Sequence, residues 1–274
     1  MFNKKAIVLA AGKGTRMKTE LPKVLVPVLN KPMIEYVLDA LLEAKIDHIT
    51  VVVGYQGNAV RQVVENWFDR LDDCELDDDC ALFFVEQTQQ LGTGHAVMAA
   101  RELLAGENGP VMILTGDSPM TRSQSLRAMF DEYEKLASDA NLSSFAGLLG
   151  TAFKENPFGL GRIVRDEQGT FVGIVEEKDA SEEQRAIHEV NMSYYLFDIP
   201  SLLESLDFLR ADNAQKEYYV TDVPAIMMKS GKTVLAKPLL SPLESLGINT
   251  PDDLALVEQT MKQLEQQVPN TESK

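Results

Sequence analysis

Lys4-Lys5-Ala6-Ile7-Val8-Leu9-Ala10-Ala11-Gly12-Lys13-Gly14-Thr15-Arg16-Met17 is the stretch on which the fold turns. Residues 4–10 read as a buried strand, because Ala6, Ile7, Val8 and Leu9 form an unbroken apolar run that glycine ends. Outward from it, residues 33–44 place Ile34, Val37, Leu38, Leu41 and Leu42 at helical spacing behind Pro32. Residues 49–53 are a second buried strand closed by Gly54, and residues 59–68 a second helix. The alternation continues with a strand at 82–85, a helix at 94–104, a strand at 111–114 closed by Gly116-Asp117, and a helix at 123–136. This order predicts an α/β fold with a mostly parallel sheet covered by helices on both faces. Ligands of such sheets bind beyond the carboxyl ends of the strands, so the loops after Ala10, Val85 and Leu114 should line a site.

After about residue 150 the rhythm changes. Residues 162–164 and 170–175 read as paired strands around Asp166-Glu167-Gln168-Gly169, residues 194–197 as a further strand, and residues 252–267 as a closing helix. We expect one domain over 1–274, with a first half at 1–150, a smaller mixed lobe at 151–248, a closing segment at 249–267 and a flexible tail at 268–274. The stretch Asp72 to Cys80 reads as a solvated acidic loop, since it lacks the glycine of a calcium loop.

A formal net charge of −16 argues against broad nucleic-acid binding, which needs a basic stripe. The run from Ala6 to Ala11 is far too short to span a bilayer and lacks the pattern of a signal peptide, so neither membrane nor export is expected. Cys74 and Cys80 give no disulfide framework, and a cytoplasmic protein is the natural expectation. A polyanionic ligand must then be received by local cations, backbone N–H groups or a metal, against an unfavourable overall field.

The first loop has that equipment. Gly12 and Gly14 let backbone N–H groups approach phosphate oxygens, Arg16 adds a planar fork, and Lys23 after Pro22 adds a mobile point charge. The loop lacks the third glycine of a dinucleotide fingerprint and is not a P-loop; a purely structural turn at Gly12 and Gly14 is the open alternative. Ser230-Gly231-Lys232-Thr233 imitates the end of a P-loop, but Ile226 stands where the first glycine belongs, so we read it as a turn before a strand. The three histidines form no H-E-x-x-H, and no G-x-S-x-G occurs; His95 reads as a packing residue at a helix start.

Residues 9–17 with Pro22-Lys23 resemble the signature of the sugar-nucleotidyltransferases. Gln90-Leu91-Gly92-Thr93-Gly94-His95-Ala96, Gly116-Asp117, Asn156-Pro157, Gly159, Gly161-Arg162-Ile163, Gly173-Ile174-Val175-Glu176, Lys178-Asp179, Glu189-Val190-Asn191, Glu217-Tyr218-Tyr219, Thr221-Asp222 and Gly247-Ile248-Asn249 continue the resemblance in order. Together, over roughly residues 4–258, they are similar to the uridyltransferase domain of bacterial bifunctional N-acetylglucosamine-1-phosphate uridyltransferases. The resemblance implies a Rossmann-like fold of the nucleotide-diphospho-sugar transferase type, a nucleotide-binding first half and a sugar-binding second half. It implies magnesium-dependent transfer of UMP from UTP to a sugar 1-phosphate, expected to be N-acetylglucosamine 1-phosphate, with release of pyrophosphate. Glucose 1-phosphate, dTTP or CTP as substrates, or a non-catalytic nucleotide sensor, are the alternatives.

By the same resemblance Arg16 and Lys23 are catalytic and lie with Gly12 beside the phosphates; Leu9, Ala10, Ala11, Gly12 and Gly14 bind the nucleotide, and Gln87, Gly92 and Thr93 read uracil. Gly161, Glu176 and Asn191 hold the sugar phosphate, while Asp117 and Asn249 are the magnesium ligands; a cap on the closing helix is the rival role for Asn249. Lys178, Tyr219, Thr221 and Asp222 belong equally to packing or to the site. Two departures touch the sugar pocket: Leu160 stands where tyrosine is usual, and Met192-Ser193 where threonine and glycine are usual. No hexapeptide repeat of an acetyltransferase β-helix is present in the sequence, so acetyl transfer and the family's trimer are not expected; another homo-oligomer through the closing helix is open.

Overall fold

The apolar run forms β1 (Lys5–Ala10), with Ala6, Val8 and Ala10 facing one side of a sheet and Ile7 the other. The computed structural model describes residues 3–46, 48–71 and 80–267, so the core of the acidic loop at 72–79 and the tail at 268–274 lie outside the described residues. A small hairpin of β2 (Pro27–Val28) and β3 (Lys31–Pro32) precedes α1 (Met33–Glu43), β4 (His48–Val53), α2 (Gly57–Phe68) and β5 (Ala81–Glu86). The single helix expected over 94–104 is instead two, α3 (Thr93–Ala99) and α4 (Arg101–Leu104), because Ala100 leaves helical geometry at φ −85° and ψ 0°. Then come β6 (Pro110–Thr115) and α5 (Ser123–Ala137).

The later chain forms β7 (Phe145–Phe153), β8 (Arg162–Arg165), β9 (Phe171–Val175), α6 (Glu182–Arg185) and β10 (Glu189–Asp198). It ends with α7 (Ile199–Leu206), α8 (Val223–Lys229), β11 (Thr233–Lys237) and α9 (Pro251–Gln267). Sequence reading found β8, β9, the end of β10, and α9, but passed over β7. Glycine weakens a strand signal, and β7 carries Gly147 and Gly150. Both are there because neighbours press on the backbone: a Cβ at Gly147 would lie 2.9 Å from Phe197 Cδ1, and one at Gly150 2.7 Å from Met129 Sδ.

Among the described residues a nine-stranded sheet runs β11-β7-β10-β6-β1-β4-β5, with the β8–β9 hairpin attached to β10. β6, β1, β4 and β5 are parallel neighbours, whereas β10 runs antiparallel to both β6 and β7. Residue 150 falls inside β7, so the two halves of the chain share one sheet. On one face, Leu38, Leu41, Val64 and Phe130 of α1, α2 and α5 pack on Val8, Val51 and Leu114. On the other, Val97, Leu202 and Met227 of α3, α7 and α8 pack on Ile7, Ile113 and Phe197. This is the α/β class read from the sequence. Among the described residues no helix is long and apolar enough to cross a membrane.

A third cluster of Met17, Val28, Met33, Ile248 and Val257 joins the first loop and the β2–β3 hairpin to α9. The hairpin turn needs positive φ at both central residues, and Leu29 and Asn30 adopt 47° and 68°. Leucine is held there because its N–H donates to Glu258 Oε1 of α9 at 3.0 Å and its side chain packs on the third cluster. In the smaller lobe Arg162, 1% exposed, donates to the Leu160 and Arg185 carbonyls and to Glu177 Oε2 at 2.8 Å. Removing a buried charge that closes three segments leaves its partners unsatisfied. Arg162→Ala should therefore lower the urea-unfolding free energy by roughly 3–5 kcal/mol.

Candidate active site

β1 and β6 end side by side, with the Gly116 N–H donating to the Leu9 carbonyl at 2.9 Å. The chain leaves β1 through Gly12, whose missing side chain would meet nothing within 4 Å, so its backbone faces open space. Gly14 has a different reason to be glycine. Its φ is +67°, and a Cβ would lie 2.5 Å from Lys23 Cβ, so the lysine stem can rest on the loop only because Gly14 has none.

Lys23 Nζ donates to Asp117 Oδ2 at 2.5 Å and to Asn249 Oδ1 at 2.8 Å, and Arg16 Nη2 donates to the same Asn249 oxygen at 2.8 Å. Burial pushes the Asp117 carboxyl up, but the Lys23 charge and hydrogen bonds from Lys23 and Thr115 outweigh it and hold the group below the ordinary carboxylate range. The rival role for Asn249 falls to its neighbours. Asp253 N donates to Thr250 Oγ1 at 3.2 Å, and Asp253 Oδ2 accepts from the N–H groups of Asn249 and Thr250 at 2.9 Å each. This reciprocal cap starts α9 and leaves the Asn249 amide oxygen facing the two cations.

Two cavities meet at Leu9, Lys23, Thr93, Thr115, Asp117 and Glu217. The smaller, about 240 Å³, is walled by Ala11, Gly12, Gln87 and Gly92. The larger, about 370 Å³, is walled by Arg16, Glu176, Asn191 and Asn249, with Leu160 and Met192 beside them. Ala10, Gly14 and Gly161 stand behind these walls. Ala10 is 1% exposed in the core, and a Cβ at Gly161 would lie 3.4 Å from Asn191 Cβ and 3.6 Å from Glu176 Oε1.

The smaller cavity is shaped by a loop zipped to a distant segment. Gly94 N donates to the Tyr218 carbonyl at 2.7 Å, Tyr218 N to the Leu91 carbonyl at 2.8 Å, and Val220 N to Thr93 Oγ1 at 3.1 Å. At Gly92, φ is +107° and a Cβ would lie 2.6 Å from the Tyr218 carbonyl oxygen. Gln87 is buried; its Nε2 donates to the Gly92 carbonyl at 3.0 Å and lies 3.1 Å from His95 Nδ1. His95 also stands beside the Tyr218 ring, a packing position.

At the far wall Glu176 is raised above its ordinary value by burial, then by Asp179 and Asp222, with a hydrogen bond from Thr221 opposing. Of the ambiguous residues, Tyr219 and Thr221 line the larger cavity, while the Lys178 ammonium donates to Gln215 Oε1. Sequence reading missed Tyr195 and Glu244, which line the larger cavity together with Ser193, read in the sequence only as a departure from the family pattern. Glu244 had a signal: Ser241-x-x-Glu244 is a capping box, and its carboxylate accepts from Ser241 N at 2.8 Å, Arg122 N at 3.1 Å and Ser125 Oγ at 2.6 Å.

Residues 6–157 match the MobA-like NTP transferase domain. The "Bifunctional protein GlmU" of Lactococcus lactis subsp. lactis (strain IL1403) is 42% identical over 261 residues, covering 95% of this chain and 52% of that protein. The protein of the same name from Heliobacterium modesticaldum is 43% identical over 262 residues, covering 96% of this chain and 53% of that one. The chain thus spans about half the length of the curated relatives it matches. A crystal structure of UDP-glucose pyrophosphorylase complexed with UDP-glucose shares the fold, with a TM-score of 0.71 at 20% identity, over 96% of this chain and 100% of that one. With its glycine loop, its carboxylate after β6 and its matched first half, the chain belongs to the MobA-like NTP transferase domain family.

Proposed function

We propose that this protein transfers UMP from UTP to a sugar 1-phosphate, N-acetylglucosamine 1-phosphate in the first instance, and releases pyrophosphate. The observation that carries the reading is the junction of two cavities at Lys23 and Asp117. A nucleotide in the smaller cavity and a sugar phosphate in the larger would meet there, with their phosphates at the junction. The GlmU relatives and the UDP-glucose pyrophosphorylase neighbour support the substrate class. The cytoplasmic setting expected from the sequence belongs to this reading.

The donor set suits magnesium. Asp117 Oδ2 and Asn249 Oδ1 are hard oxygens closing on one cation position, where the Lys23 ammonium now sits. Among the described residues no group of three or more His, Cys, Asp or Glu is arranged for a metal, and magnesium needs only one or two protein oxygens beside waters and phosphates. Bound there, it would supply charge neutralisation between the two phosphate groups.

The chain's own residues do the rest. Backbone N–H groups around Ala11 and Gly12 face the triphosphate, with Arg16 and Lys23 to offset charge on the α-phosphate and the departing pyrophosphate. Gln87, Gly92 and Thr93 set the pyrimidine edge, while Glu176 and Asn191, backed by Gly161, hold the sugar. An oxygen of the sugar 1-phosphate attacks the α-phosphorus directly, so no protein nucleophile is required. Leu160 and Met192 put apolar surface on the sugar side, and the acceptor depends on how that surface fits.

Pyrophosphate release from UTP and Mg²⁺ should be fastest with N-acetylglucosamine 1-phosphate among a panel of sugar phosphates; release with none of them would overturn the proposal. Preference for a different sugar would keep the chemistry and trace the change to Leu160 and Met192. Lys23→Ala and Asp117→Ala should each cut turnover by about 100-fold or more with far-UV circular dichroism unchanged.

Glu176→Gln should weaken sugar-phosphate binding yet stabilise the fold at neutral pH. The folded state holds the Glu176 proton more tightly than the unfolded chain does. Stability is therefore lost as pH rises from the ordinary carboxylate range through the raised value, and the amide removes that loss. Urea titrations of both proteins at acidic and neutral pH should show the variant's advantage growing with pH.

A further inference from the structure

The ladder between β10 and β7 breaks between Asn191 and Tyr194, where two residues of β10 loop out. At the apex Ser193 adopts φ 58°, a left-handed conformation that a non-glycine residue keeps only when its surroundings hold it. Its N–H donates to Asn191 Oδ1 at 3.2 Å. The other end of the same amide, Nδ2, donates to Tyr195 Oη at 2.7 Å, and the Asn191 backbone N–H donates to the Gly161 carbonyl at 2.8 Å.

The two ends of an asparagine amide have nearly the same shape, so partners decide which end points where. A backbone N–H can only donate, so the Ser193 N–H selects the oxygen. The nitrogen must then face Tyr195, whose oxygen accepts. Tyr195 is itself firmly held, being 1% exposed with its ring stacked on Phe197 at 5.7 Å and 9°, and burial keeps its phenol protonated. One N–H and one lone pair of the fixed amide are left for the larger cavity, which Asn191, Ser193 and Tyr195 all line.

We propose that Tyr195 is a positioning residue for sugar recognition, acting through Asn191, with the looped-out Ser193 setting the polarity of the amide shown to the sugar. This rests on the uridyltransferase reading above. Tyr195→Phe removes the accepting oxygen while keeping the ring and its stacking. Binding of UDP-N-acetylglucosamine and of UDP should be measured by calorimetry for the unmodified chain, Tyr195→Phe, Asn191→Ala and the double variant.

Tyr195→Phe should weaken UDP-N-acetylglucosamine by about fivefold to tenfold, the worth of one hydrogen bond, and leave UDP within about twofold. In the Asn191→Ala background the same substitution should have no further effect, because the group it acts through is gone. An equal loss in both backgrounds, an equal loss for UDP, or no loss at all overturns the inference while the activity stands. Failure of the unmodified chain to bind UDP-N-acetylglucosamine overturns the activity reading, and this inference with it.

Discussion

One ammonium group, Lys23 Nζ, closes contacts with residues 94 and 226 positions away in the chain, and the geometry of the site depends on it. The protein carries a formal charge of −16, so it repels phosphates over most of its surface. Attraction has to be local, and it is concentrated at the loop after β1, where Arg16 and Lys23 are brought together. Left unpaired there, the half-buried Lys23 would be a partly desolvated charge beside the exposed Arg16. Asp117 and the Asn249 oxygen satisfy them, and the same two oxygens are the hard donors that a divalent ion requires. In this structure the lysine balances that pair of oxygens, and they are the same two that the proposed function assigns to magnesium.

Holding that balance requires three remote segments to arrive in register, and each has its own local device. Gly14 lets the lysine stem lie against the loop. The Gly116–Leu9 hydrogen bond fixes the end of β6 to the end of β1. The Thr250–Asp253 cap holds the start of α9, and Glu258 on the same helix ties it to the β2–β3 turn. The antiparallel course of β10 adds another wall of the larger cavity: because it pairs with β6, its beginning emerges where β6 ends, and Asn191 faces the cavity that Asp117 also lines. Asp117 and Asn191 thus stand at the ends of adjacent strands of one sheet.

What could be read in advance was what short-range chemistry encodes. The β1 run, its glycines and the parallel βα rhythm are visible because apolar continuity and glycine act within a few residues. β7 was hidden by Gly147 and Gly150, whose reason is the bulk of Phe197 and Met129 from other elements. The cap of α9 was legible in Thr250-x-x-Asp253, yet Asn249 stood out as a possible cap because asparagine is a good one in general. Tyr195 had no local signal at all, and Ser193 stood out only as a departure from the family pattern. A serine in a strand reads as ordinary, and only the pairing with β7 shows that it occupies the apex of a loop-out.

The unfavourable features of this wall collect at the site. Ser193 holds a left-handed backbone, and Glu176 is a carboxylate that burial and two neighbouring acids make costly to ionise. Glycine at 193 and an amide at 176 would each relieve the cost. Their joint presence on one cavity wall argues that the wall is shaped for a ligand rather than for stability. The ligand that would suit both is a neutral, hydroxyl-rich group: it can donate to Glu176, match the fixed amide of Asn191, and lie against Leu160 and Met192 without bringing a charge of its own. The sugar of the proposed substrate meets that description, and Arg16 and Lys23 offer its phosphate a cationic corner of the same cavity.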